Sequence, residues 1–278
     1  MFTIFRFTFR EAFSKKVLLV SAIMAVVFLG LYGAGVFFAA RDITRSGNQV
    51  LASVIYPQLT LFGLYFGGFI VSFLAIISSA GIISGEIESG AIQAVITKPL
   101  RRSGFALGRF LGQGVFLGLY SALLFAAIYA IIRVFTGTDL SGVWRALPVF
   151  SLQPVVILSL AMLASTLTGT LAAGTLTFTL YALAVVGGFI EQIGWIINNL
   201  YMKNAGIISS LIMPVDALYR KTVHILLPQQ AAGPAAALQQ MGPFGSMAEP
   251  SRWMMVYTLL YIAFCLGLTL YYFDRKDI

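Results

Sequence analysis

Charge is what this sequence has least of. Only 10% of its 278 residues are Asp, Glu, Lys or Arg, while 59% are apolar, against about 25% and 45–50% in soluble domains. So little polar surface does not solvate a globule of this size, and lipid has to stand in for water over much of the chain. Cysteine is nearly missing as well: Cys265 alone excludes a disulfide framework and any cysteine-based metal cluster. His224 is the one histidine, so no pair of imidazoles exists for haem, copper or zinc, and no cofactor is expected. There is no strand-like alternation of the kind a barrel needs. No G-x-x-x-x-G-K-[ST] loop is present, nor a polar segment long enough for a nucleotide-binding domain. The net charge of +8 does not point to nucleic acid, because the basic residues are scattered between long apolar runs, where they orient spans against headgroups.

What is there, in quantity, is apolar length. Crossing about 30 Å of hydrocarbon takes about 20 apolar residues in a helix, and six charge-free runs approach or exceed that: 17–40, 59–84, 110–132, 148–165, 170–190 and 253–273. The expected fold is an all-α integral membrane domain. The fourth and fifth runs are parted only by Thr166, Leu167, Thr168 and Gly169, enough for a tight turn between antiparallel helices. An even number of spans puts both termini on one side. Ten basic residues fall there, among them Arg6, Arg10, Lys15, Lys16, Lys98, Arg101, Arg102 and Arg109, and eight fall on the other side. That excess predicts cytoplasmic termini in a cell (plasma or inner) membrane.

The first 16 residues place Phe2, Phe5, Phe9 and Phe13 at helical spacing, with Arg6 and Arg10 on a neighbouring face and Glu11, Lys15 and Lys16 following. This predicts an amphipathic helix in the headgroup layer. The first apolar run, about 24 residues, is too long for the 7–15 of a cleaved signal core and is read as a span. No run holds an interior Asp, Glu, Lys, Arg or His, so a proton relay through the membrane is not expected. If the protein moves a solute uphill, the energy enters from a partner.

The segment that could receive a partner is 85–103, with Glu86 and Glu88 at its start and Lys98, Arg101 and Arg102 at its end, an order that suits a helix macrodipole. Ile87, Ala91 and Val95 give it an apolar stripe, and Pro99 stops the helix. The same charge order also fits a plain surface helix anchored to headgroups. Small residues that permit close helix approach recur as Gly104, Gly108 and Gly112, and as Gly63 and Gly67. The segment 191–252 is read as one external stretch. Ile207–Leu227 in it is apolar at helical intervals and broken by Pro214, and Asp216 and Arg220 form an i, i+4 surface pair.

The run Gly85-Glu86-Ile87-Glu88-Ser89-Gly90, then Thr97-Lys98-Pro99-Leu100-Arg101-Arg102 and Phe105-Ala106-Leu107-Gly108-Arg109, resembles the first cytoplasmic loop of permease subunits of type-2 ATP-binding-cassette transporters. Glu86 and Gly90 match that family's E-x-x-x-G coupling helix, Pro99 its proline, and Arg102 or Arg101 its arginine. Arg10-Glu11 with Lys15-Lys16 resembles its connecting helix, and the likeness runs through the basic C-terminus. The resemblance implies a non-enzymatic permease, in most cases an exporter, working as a dimer, each copy docked on a separate ATPase subunit, with two ATPase copies in all. An accessory external protein and the substrate are left open. Two other readings stay open on the residues alone: a passive channel or structural membrane subunit without an ATPase, and, for lack of paired carboxylates less favoured, an intramembrane enzyme.

Overall fold

A computed structural model describes residues 4–6, 8, 9, 11, 16–90, 102–227, 244, 245 and 250–276, apart from the side chains of Lys16 and Arg102. Arg10, Lys15, Lys98, Pro99 and Arg101 lie outside the described residues, as does the stretch 91–97 of the segment proposed to couple. Nine helices carry the described chain: α1 (Lys16–Ser46), α2 (Gln49–Ser79), α3 (Ser84–Glu88), α4 (Arg102–Thr136), α5 (Val143–Leu167), α6 (Thr170–Ile196), α7 (Leu200–Ile212), α8 (Val215–Leu226) and α9 (Arg252–Arg275). Among the described residues there is no strand. Six of these helices, α1, α2, α4, α5, α6 and α9, are long and apolar enough to cross a membrane. Ile4, Phe5, Arg6, Thr8, Phe9 and Glu11 are helical as well.

Most helices outrun the charge-free stretches that announce them. α2 starts at Gln49 and passes through Pro57, α4 starts at Arg102 rather than 110, and α6 continues to Ile196. The reason is physical. The hydrocarbon limit marks where charge becomes costly, whereas the backbone has no cause to stop there and continues helical into the headgroup layer until a cap ends it. Asn48 Oδ1 accepts from the backbone N–H groups of Val50 and Leu51 at the start of α2, and Asn199 does the same for Tyr201 and Met202 at the start of α7. The turn between α5 and α6 is as short as expected, with α5 ending at Leu167 and α6 opening at Thr170.

α5 is the central element. It packs against α2, α4, α6, α8 and α9, and Phe150, Ile157, Leu158 and Met162 on it are fully buried. α1 lies outermost, with Leu19, Val26 and Leu31 exposed. Lipid tails are as apolar as leucine, so helices in a bilayer are held by close packing and hydrogen bonds rather than by expulsion of water. The glycines show where that closeness is needed. A Cβ on Gly63 would sit 2.5 Å from the Tyr32 hydroxyl, and one on Gly67 2.6 Å from Ile128 Cδ1, so α1, α2 and α4 meet there. A Cβ on Gly112 would meet Thr8, which seats the N-terminal helix against α4. Gly108 is buried, and Gly104 has open space where a Cβ would stand.

All three tryptophans, Trp144, Trp195 and Trp253, sit at the same end of the bundle, at the start of α5, the end of α6 and the start of α9. That is the position of an interfacial aromatic belt. At this end α7 folds back along α6 and α8 turns in beneath it, packing mainly on α5.

Candidate functional site

At the end of the bundle that carries Glu11 and Lys276, polar side chains tie five separate segments together. The hub is Arg109, seven residues into α4 and 4% exposed. Its Nη1 donates to Glu11 Oε2 at 2.5 Å, and its Nη2 donates to Glu86 Oε1. A guanidinium this far inside an apolar helix requires acidic partners, and its two-sided fork lets one side chain hold the N-terminal helix and α3 at once.

α3 is fixed from its other side by the α5–α6 turn. Its leading N–H groups would be orphans in a single-turn helix, and Ser165 Oγ accepts from the backbone of Ile83 at 3.2 Å and Ser84 at 2.9 Å. Ser84 Oγ is within 2.9 Å of both Ser165 Oγ and Thr170 Oγ1. Glu88 reaches the start of α6: its Oε1 accepts from the Thr170 backbone N–H and its Oε2 from the Thr170 hydroxyl, each at 3.0 Å. A carboxylate there also complements the positive end of the α6 dipole. Gly90 follows α3 with φ of +70°, a left-handed position that ends the helix at the cost only glycine avoids. From the C-terminal side Lys276 Nζ donates to the Thr166 carbonyl at 2.7 Å. The outcome is a contiguous surface in which Glu11, α3, Arg109, the α5–α6 turn and the end of α9 are mechanically joined.

Of the residues singled out from sequence, Glu11, Glu86, Glu88 and Gly90 come together here, and Arg6 lies on the helix that carries Glu11. Arg102 begins α4 two turns before Arg109. Sequence reasoning counted Arg109 among the orienting charges and in the run Phe105-Ala106-Leu107-Gly108-Arg109 but missed it as the hub, and missed the part that Ser165, Thr170 and Lys276 play here. One signal was available for Arg109, which is the single Asp, Glu, Lys, Arg or His between 103 and 132. Hydroxyls on helices carry no such signal, since most bond their own helix carbonyl, as Thr166 and Thr177 do.

The opposite end holds a second charged cluster. The pair expected at the surface is instead buried and has a third member. Arg220 Nε and Nη2 donate to Asp216 Oδ2 at 2.7 and 2.5 Å, while Nη1 lies 2.7 Å from Glu191 Oε1. Nη2 also donates to the Gly188 carbonyl at 3.3 Å. Burial pushes the Asp216 carboxyl above the usual carboxylate range, against the opposing pull of Arg220. The helix carrying Glu191 continues past the charge-free run, which ends at 190, and this is why the acid was not read as part of a span. Glycines create the space: a Cβ on Gly188 would overlap the Asp216 carboxylate, and one on Gly206 would stand 2.2 Å from Glu191 Cβ.

Compared with known families, residues 3–278 match a family model described as ABC-2 family transporter protein. No curated protein matches the chain.

Proposed function

We propose, from the premise that the chain belongs to the ABC-2 transporter family of membrane proteins, that it is a permease subunit driven by a separate ATPase through the Arg109-centred surface. The orientation that goes with this reading puts that surface in the cytoplasm. The family supports the transport role, and the observation that carries the coupling role is the joining of Glu11, Glu86 and Arg109. A push on α3 is transmitted at once to the N-terminal helix, to α4 through Arg109, and to the α5–α6 hairpin through Ser165 and Thr170. Rigid helices joined this way move as bodies, which is what rocking between two arrangements requires. The chain itself holds no nucleotide-binding loop, so the work comes from a partner that closes on ATP. A pair of permeases on a pair of ATPases, acting in export, completes the proposal.

The test is a charge reversal. Glu86→Lys sets a second cation against Arg109, whereas Glu86→Gln keeps size and one hydrogen bond. The reversal is expected to leave membrane insertion intact while abolishing ATPase association or solute-dependent ATP turnover, with Glu86→Gln intermediate. Assembly and turnover at the unmutated level in Glu86→Lys would remove the coupling role.

A further inference from the structure

Between α6, α7, α8 and α9, at the end opposite Arg109, lies a cavity of about 440 Å³, within the 300–1,000 Å³ range of small-molecule sites. We infer that it binds an amphiphile with an apolar body and a primary ammonium head, the head held by Glu191. This assignment does not depend on how an ATPase docks.

The walls are apolar and aromatic, with Trp195, Leu211, Trp253, Met254 and Tyr257, and the charged side chains that line the cavity are Glu191 and Arg220. An apolar body is therefore required, and the sign of the head follows from the donor count. Arg220 already spends Nε, Nη1 and Nη2 on Asp216, Glu191 and the Gly188 carbonyl. Those bonds use four of its five N–H groups, so an anionic head would find one N–H left on Nη1 and two carboxylates beside it. Glu191 spends Oε1 on Arg220, and a carboxylate accepts through two oxygens. One guanidinium between two carboxylates leaves the buried cluster with an excess negative charge, which a cation neutralises. The Tyr257 hydroxyl is taken up by the Leu211 carbonyl, so it does not compete for the head. A primary ammonium is preferred over a quaternary one because a carboxylate oxygen rewards an N–H donor.

The experiment uses the full chain in detergent, with tryptophan fluorescence as readout, since Trp195 and Trp253 line the cavity and Trp144 stands on α5. The probes are dodecylamine, charged at neutral pH like a lysine, and its twelve-carbon counterparts dodecanol, dodecanoate and dodecyltrimethylammonium. Dodecylamine should give a saturable change with affinity about tenfold or more above each of the others, a tenfold step being what one charge-assisted hydrogen bond supplies. Glu191→Gln should bring the amine down to the level of the alcohol. Glu191→Gln should still bind the alcohol like the unmutated chain, which shows that the variant is folded, and Ser210→Leu, which puts a larger side chain into the cavity wall, should weaken all four. The inference is overturned if the alcohol or the quaternary probe binds as tightly as the amine, if dodecanoate binds best, or if Ser210→Leu binds like the unmutated chain.

Discussion

At the scale of single residues, the two arginine clusters differ from an ordinary ion pair by burial. Arg133 and Asp139 lie 3.6 Å apart with both side chains mostly in the open, where a pair contributes about 0–1 kcal/mol. Arg220 is 6% exposed between two carboxylates that are nearly as buried. Removing it leaves those carboxylates uncompensated, a loss of about 3–5 kcal/mol. Arg220→Met should therefore lower stability in a denaturant titration by that amount, and Arg133→Met should leave it within about 0.5 kcal/mol. The residue scale is also where the sequence was least informative. Asp216 and Arg220 were visible as an i, i+4 pair, but nothing local marks a pair as buried. That depends on Gly188 and Gly206 letting α8 and Glu191 close in from elsewhere. Arg109 is the counter-example, a lone charge flanked by apolar residues whose need for a partner was legible, although which acids would answer it was not.

At the scale of elements, helix existence was legible and helix extent was not, because the charge that ends an apolar run does not end a helix. α7 shows what sets its position. It lies on α6 so closely that a Cβ on Gly187 would fall 2.0 Å from Ser209 Oγ, and one on Gly194 2.8 Å from the Lys203 backbone nitrogen. Ser209 Oγ also donates to the Leu183 carbonyl at 3.0 Å. Gly187→Leu should displace α7 and lower the temperature at which the detergent-solubilised protein aggregates. Gly30→Leu, on α1 where nothing stands within 4 Å, should leave it unchanged. The α5–α6 turn makes the matching point on the other face: its brevity was legible from four residues, but its role as the anchor of α3 depends on Ser165 and Thr170, which look like any other helix hydroxyls.

At the scale of the whole molecule, the bundle has one end where charged and hydroxyl side chains join five segments, and another where tryptophans and a folded-back hairpin surround an aromatic cavity. The proposed orientation sets the first end in the cytoplasm. It is checked by impermeant maleimide on intact cells, because the lone native thiol, Cys265, is buried. Ser141→Cys should label and Ser89→Cys should label only after the membrane is opened; the reverse pattern would invert the topology. The claim on which the mechanism rests is that this chain obtains its work from a partner ATPase at the Arg109-centred end. The most direct measurement is purification of the tagged protein from its native membranes, with the co-purifying subunits sequenced and their ATP hydrolysis assayed. The account predicts a subunit with a phosphate-binding loop that hydrolyses ATP and is lost from the Glu86→Lys preparation. A protein that moves its solute at full rate, with no nucleotide hydrolase attached, would contradict it.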